Sequence, residues 1–448
     1  MPSSRSEFTV ERFELANGLR VVVVPDRSSP SATVAVYYDV GFRSEPEGRT
    51  GFAHLFEHLM FEGSASLPKL AHAKMVQGNG GNFNGSTSFD YTNYFEQLPS
   101  GALELGLFLE ADRMRAPRLD LETLHNQIAV VKEEIRVNVL NRPYGGFPWI
   151  ELPPVLFRSF NNAHNGYGSF VDLESVTVED AVDFWTRYYA PGNAVLSITG
   201  DVTTEAAHRL VERHFGDVPG RKVARPSDTS EPVPDQERRG VHHDPMAPTP
   251  ALAVAWRVPD PLDTPRYAAM VMAAQVLGGG DASRLHQRLV KKDQLATVVG
   301  TSVSAFGDPF EVRDPTFGQL ICYYQDAPVE RLLTVFDEEC ARLAHDGLEP
   351  GELQRSVNAW ASGYYRHLDN QVQRGLTAAV LEQQRGRAEL LNELPSLLGA
   401  VTEDDVVSAV GEWLSPSRRA VLEWRAGPAP APAPRGARAR RRPSAGRG

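Results

Sequence analysis

The chain has 448 residues and a mass of 49.3 kDa, too long for one ordinary domain. Its 42% hydrophobic and 23% charged residues are those of a globular protein with a full core, not of a disordered chain. The net charge is −11, but the last 23 residues hold six Arg and no acid, so the rest carries −17, which excludes a body built to bind nucleic acid.

Neither an apolar leader segment in MPSSRSEFTVERFEL nor an 18-residue apolar run occurs, so no membrane contact is expected and the reading is a cytoplasmic protein. In chain order, Ala32–Tyr38 reads as a strand, leading through a polar turn into an apolar helix over Gly51–Met60. A second helix is expected over Leu121–Leu140, with Leu124, Ile128, Val131 and Ile135 as its apolar stripe. Thr177, followed by Glu179 and Asp180, opens a helix that stops at Pro191 and leads into the strand beginning Ala194-Val-Leu. Residues 217–250 hold seven prolines and few apolar side chains, which reads as a linker, placed at 217–240. Beyond it come a strand at Ala251–Trp256 and a helix at Tyr267–Leu277. The glycines 278–280 then read as a helix stop and loop, because no Lys-Ser/Thr follows to make a phosphate cradle. Thr402 with Asp404 and Asp405 opens a helix that stops at Pro416 before Ala420-Val-Leu. This repeats the Thr177–Leu196 pattern at an offset of 225 residues, and the strand-helix pairs at the front of each half repeat at nearly the same offset. The expectation is an α+β fold of two homologous domains, 8–216 and 241–425, each a mostly antiparallel sheet packed with helices. Residues 426–448, rich in Pro, Ala and Arg, read as a disordered tail.

The chemistry concentrates in Gly51-Phe-Ala-His54-Leu-Phe-Glu57-His58-Leu-Met60. Phe52, Leu55, Phe56, Leu59 and Met60 form a buried helical stripe, while His54 and His58 lie one turn apart on one face with Glu57 beside them. Three polar groups on an apolar helix are costly to bury unless something satisfies them. Two imidazoles at i, i+4 can converge on one tetrahedral Zn²⁺, with the adjacent carboxylate as proton acceptor. Laying Arg49 on Arg266 puts Val271, Ala274 and Gln275 opposite His54, Glu57 and His58, so the fold does not need the histidines. A third ligand is required, and the Leu121–Leu140 helix offers Glu133 and Glu134, between which spacing alone does not choose. His242 and His243 are adjacent, so in a strand they point to opposite faces. Cys322 and Cys340 are too few for a disulfide framework or a four-thiolate zinc site and read as core.

His54-Leu-Phe-Glu57-His58 resembles the inverted zinc motif of the inverzincins. Its surroundings resemble the pitrilysin/insulinase family, in particular the half-length bacterial members related to the mitochondrial processing peptidase beta subunit. The resemblance covers roughly residues 8–425. It includes Leu15-Ala-Asn-Gly-Leu-Arg-Val, Gly80-Gly-Asn-Phe-Asn84-Gly-Ser, Val130-Val-Lys-Glu-Glu134 and Tyr189-Ala-Pro-Gly-Asn. It implies a zinc metalloendopeptidase with one Zn²⁺ per chain, held by His54, His58 and Glu134, the last at the family's spacing of about 75 residues past the second His. Glu57 is then the catalytic base and 241–425 the non-catalytic domain. Many relatives have a Glu where this chain has Gln127, two helical turns before Glu134, from which an amide can still donate to the ligand carboxylate. Residues Asn84–Tyr94 resemble the edge strand that relatives pair with substrate backbone. Asn84, Gly85 and Ser86 are the implied contacts, and Gly85 stands where Ala is usual.

A further departure bears on partners. Relatives carry an Arg and a Tyr seven apart in the second half that grip substrate, and here Val290 and Thr297 occupy those positions. In heterodimeric relatives one chain has the zinc motif and its partner the Arg/Tyr pair. The resemblance therefore implies the zinc-bearing subunit of a heterodimer, with a homodimer as the fallback, acting on peptides or unfolded segments. The alternative is a non-catalytic scaffold or peptide-binding subunit, a role in which relatives tend to lose zinc-motif residues that this chain keeps.

Overall fold

Strands buried on both faces carry uninterrupted apolar runs rather than alternating ones. The computed structural model, which describes residues 7–221, 223, 228–304 and 308–428, has such strands at the centre of each of two sheets. The first contains β1 (Glu11–Glu14), β2 (Arg20–Pro25), β3 (Ser31–Tyr38), β4 (Asn82–Thr87), β5 (Thr92–Pro99) and β6 (Ala194–Gly200), in the order β1-β2-β6-β3-β5-β4. The second contains β7 (Arg238–Asp244), β8 (Ala251–Arg257), β9 (Ala296–Val303), β10 (Phe317–Tyr324) and β11 (Arg419–Ala426), in the order β7-β11-β8-β10-β9. Each has one parallel pair, β2 with β6 and β7 with β11, and is otherwise antiparallel. Apart from the extra β1, the two orders are the same topology written twice. The fold is α+β, two homologous halves related by internal duplication.

The helices that matter here are α1 (Phe52–Leu59), α2 (Leu121–Ile135), α3 (Val178–Tyr188), α4 (Thr264–Gly278), α5 (Glu352–Asp369), α6 (Gln371–Arg385) and α7 (Glu403–Trp413). The duplication extends to their caps. Thr177 and Asp180 close a reciprocal capping box on α3, and Thr402 and Asp405 do the same on α7. Among the described residues no helix is long and apolar enough to cross a membrane.

The halves cover each other's sheets. Val21, Val23, Val34, Val36, Leu196 and Ile198 pack with Phe52 and Phe56 of α1 and Phe184 of α3. The alternate residues Val22, Val24, Ala35, Tyr37 and Val195 join the core of the second half instead, where α6 lies across β6, β3 and β2. Reciprocally, Ala251, Ala253, Ala255, Leu422 and Trp424 of the second sheet are covered by Phe147, Leu152, Leu156 and Phe157 from the first half. The central strands of each sheet are thus buried on both faces, one cover coming from the other half of the chain.

Two expectations need correction, and the helix expected over Leu121–Leu140 is refined at its end. Residues Asn84–Tyr94 are not one strand: β4 and β5 form a hairpin, whose bend at 88–91 is fixed from outside. There the amides of Phe42 and Arg43 donate to the carbonyls of Ser88 and Phe89, and buried Asp90 pairs with Arg43 at 3.3 Å. The helix expected over Leu121–Leu140 is α-helical to Ile135 and finishes as a π-helical turn, Arg136–Leu140. The stretch read as linker runs into β7, which begins at Arg238 and pairs in parallel with β11. The two cysteines are buried and unbridged. His242 of β7 stacks on Trp424 with ring centroids 3.8 Å apart. The expected disordered tail lies, from residue 429 on, outside the described residues.

Candidate metal centre

The short helix α1 begins at Gly51, whose φ of 83° only glycine adopts without strain. Buried Glu45 accepts from the first amides of the helix, those of Gly51 (2.9 Å) and Ala53 (2.7 Å), and so satisfies a helix start that lacks a side-chain cap. The apolar stripe seats α1 in the core and turns His54 and His58 toward α2, their ring centroids 4.9 Å apart and nearly perpendicular. Helix α2 starts at an Asp120 cap and packs directly on α1. It brings Glu134 to the imidazole pair: His54 Nε2 lies 3.7 Å from Glu134 Oε1, and His58 Nε2 lies 3.3 Å from Oε2. Glu133 turns outward to an exposed pair with Arg136.

One donor atom from each of His54, His58 and Glu134 fits within 4.8 Å of the others. Ligands on a tetrahedral zinc lie roughly 3.3 Å apart for bonds of about 2.05 Å, so the set is close to the size of the ion. The protonation of two of the three donors also fits. Burial pushes His54 down to about 4, with the His58 charge adding to the effect and Glu134 opposing it, which leaves a neutral imidazole. Glu134 is held at about 2, first by its hydrogen bond with His58, against the cost of burial, and then by the charges of both imidazoles. Burial also pulls on His58, but the hydrogen bond and charge of Glu134 and the charge of Glu57 leave it above its usual value. Neutral imidazole and ionised carboxylate are the donor forms a divalent ion requires; His54 and Glu134 are already in them, whereas His58 must be deprotonated to join them.

Glu57 points from the same helix toward β4. Burial pushes its carboxyl up to about 7, against the hydrogen bond from Thr87 and the charge of His58. Thr87 Oγ1 donates to Glu57 Oε2 at 2.5 Å. A Cβ on Gly85 would stand 3.1 Å from Glu57 Oε1, so the glycine leaves that oxygen room.

Strand β4 is a sheet edge, free to pair on its outer side. Its alternation puts Gly85 and Thr87 on the face that meets Glu57. Asn84 and Ser86 take the opposite face, where Asn84 Oδ1 accepts from the Gly85 amide and Ser86 bonds Asn93. Gln127 is buried on α2 and contributes to holding His58 above its usual value. Sequence reasoning missed Thr87 and Tyr167. Thr87 is legible as the next same-face residue after Gly85. Tyr167, whose hydroxyl donates to Glu134 Oε1 at 3.1 Å, bears no spacing relation to the motif.

A profile of the insulinase family, peptidase family M16, matches residues 20–142, and one of the M16 inactive domain matches residues 175–359. The chain is 32% identical to a Helicobacter pylori protein named zinc protease PqqE, over 64% of this chain and 65% of that protein, just under two thirds of its length. It is 26% identical to an uncharacterized zinc protease of Mycobacterium leprae, over 80% of this chain and 79% of that protein. A solved structure of a protease from Helicobacter pylori superposes with a TM-score of 0.85 at 24% identity, covering 94% of this chain and 100% of that one.

Proposed function

The chain belongs to the insulinase family of M16 peptidases, and on that premise we propose that it is a zinc-dependent endopeptidase whose N-terminal half, 8–216, does the chemistry. In this reading His54, His58 and Glu134 hold one Zn²⁺, which when bound supplies the Lewis acidity that polarises a scissile carbonyl and acidifies a water. Glu57 is the base. Its raised carboxyl accepts a proton near neutral pH and returns it to the leaving amine, while Thr87 holds Oε2 so that Oε1 stays turned to the space beside Gly85. Substrate enters as an extended segment paired with the free edge of β4, held by the backbone of Asn84, Gly85 and Ser86. The observation that carries the reading is the convergence of two imidazoles and a carboxylate from separate helices beside a second, buried carboxylate. The inactive-domain profile covers 175–359 and so does not include these residues.

We further propose a partner subunit. Val290 packs half-buried against the core of the second half, and Thr297 is engaged with the Tyr323 carbonyl at 3.0 Å. Neither offers a cation or a phenol, so a second chain bearing an Arg/Tyr pair, or failing that a second copy of this one, completes the substrate grip.

Replacing Glu57 with Gln tests the assignment. The variant should keep its metal and lose peptide hydrolysis by at least a hundredfold, in line with the usual worth of a positioned base. Hydrolysis at the wild-type rate would refute it.

A further inference from the structure

Tyr167 lies outside every motif considered so far, yet its phenol reaches into the metal cage. Its hydroxyl donates to Glu134 Oε1 at 3.1 Å, and its ring meets His54 edge-on with centroids 5.0 Å apart. The residue therefore touches both helices that carry ligands, α1 through the His54 ring and α2 through the Glu134 carboxylate.

Its mount is fixed to the start of α1. A Cβ on Gly51 would lie 2.4 Å from the Tyr167 carbonyl oxygen, and one on Gly168 would lie 2.1 Å from the Thr50 carbonyl oxygen. The two backbones thus pass at a distance that only glycine permits on either side. Glu45, which holds the first amides of α1, also pairs with His164 Nε2 at 2.9 Å, and His164 Nδ1 bonds the Phe160 carbonyl at 2.8 Å. One buried carboxylate thereby ties the helix start to the segment that bears Tyr167. Trp149 backs the phenol from the far side, with ring centroids 5.2 Å apart.

We infer that Tyr167 is a positioning residue of the metal site, a clasp whose phenol fixes the Glu134 carboxylate against the imidazole of His54. The physical reason is that α1 and α2 meet chiefly through apolar side chains, which set the distance between them but not the rotamer of a partly exposed Glu. Glu134 is 29% exposed, and with only the His58 contact on Oε2 its carboxylate can pivot about that oxygen toward solvent. Groups that hydrogen-bond a metal ligand hold it in its coordinating orientation, and losing one costs about 10–100-fold in metal affinity.

This inference rests on the zinc reading above, and the test separates the two. Zinc affinity is measured by competition with a chromophoric chelator for wild type and Tyr167→Phe, together with the melting temperature of both proteins free of metal. Wild type binding one zinc, the variant binding it at least about tenfold more weakly, and equal metal-free melting temperatures are the expected results. Equal zinc affinity in the two proteins would overturn the inference while leaving the zinc reading intact. A variant that loses its fold without metal would overturn it too, by making Tyr167 structural. Wild type that binds no zinc would remove the reading and the inference together.

Discussion

Gly85 and Thr301 occupy the same place in the two sheets and do opposite things. The register that sets Gly85 against Tyr94 and Val36 sets Thr301 against Leu320 and Val254. In the first half the missing side chain leaves room for Glu57, whereas in the second Thr301 donates to the carbonyl of Ala274, the residue opposite Glu57, at 2.5 Å. The half that carries His54, Glu57 and His58 keeps a slot where the other half has a side chain and a hydrogen bond.

Filling that slot should separate metal binding from turnover. Gly85→Ala puts a methyl 3.1 Å from Glu57 Oε1, a contact relieved by a few tenths of an ångström, and should leave kcat/KM within about twofold. Gly85→Val displaces the carboxylate outright and should cost about a hundredfold, the worth of a positioned base, with zinc content unchanged. Steady-state kinetics with elemental analysis of the same samples checks both.

Stability should fall as the solution is made alkaline. Where loop 308–316 meets the hairpin at Tyr91, burial pushes Asp308 up to about 6 and Glu311 up to about 8. A carboxyl raised above its unfolded value favours the folded state while it is protonated. That contribution is complete below the unfolded pKa, near 4, and is lost as pH rises through about 6 and about 8. This pair should therefore lower the melting temperature progressively between about pH 4 and about pH 8. Glu311→Gln should flatten the upper part of that decline, and an unchanged slope in the variant would count against the account.

The reciprocal covering of the sheets predicts that the halves are not independent. A fragment ending at residue 223 lacks α6 over its sheet, and one beginning at 228 lacks Phe147, Leu152, Leu156 and Phe157 over the other. Each should be insoluble alone and recovered when the two are produced together. A finer probe is Gly375 of α6, where a Cβ would stand 2.9 Å from Thr199 Oγ1 on β6. Gly375→Val should lower the unfolding free energy by about 1–3 kcal/mol, read from denaturant midpoints.

What could be read in advance follows the range of the interactions. His54, Glu57 and His58 are legible because a helical period fixes their common face within five residues. Choosing Glu134 over Glu133 is a tertiary matter: both adjoin the same stripe, and only the way α2 packs on α1 turns one inward and leaves the other with Arg136. The bend at Ser88-Phe-Asp-Tyr91 has no Gly or Pro to announce it. It closes on a hydrogen bond from the Ser88 amide to the Tyr91 carbonyl and is braced by the backbone of Phe42 and Arg43, more than forty residues earlier. The exchange of covers between halves was illegible for the same reason, since an apolar helix face does not state which sheet it will meet. The duplication itself was open to reading because its caps, Thr177 with Asp180 and Thr402 with Asp405, are local.

Metal content of the purified chain tests the central claim most directly. Wild type and Glu57→Gln should each hold one equivalent of zinc, and His58→Ala and Glu134→Ala should hold almost none while remaining folded by circular dichroism. Full zinc occupancy in both ligand variants, or none in wild type, would contradict the account.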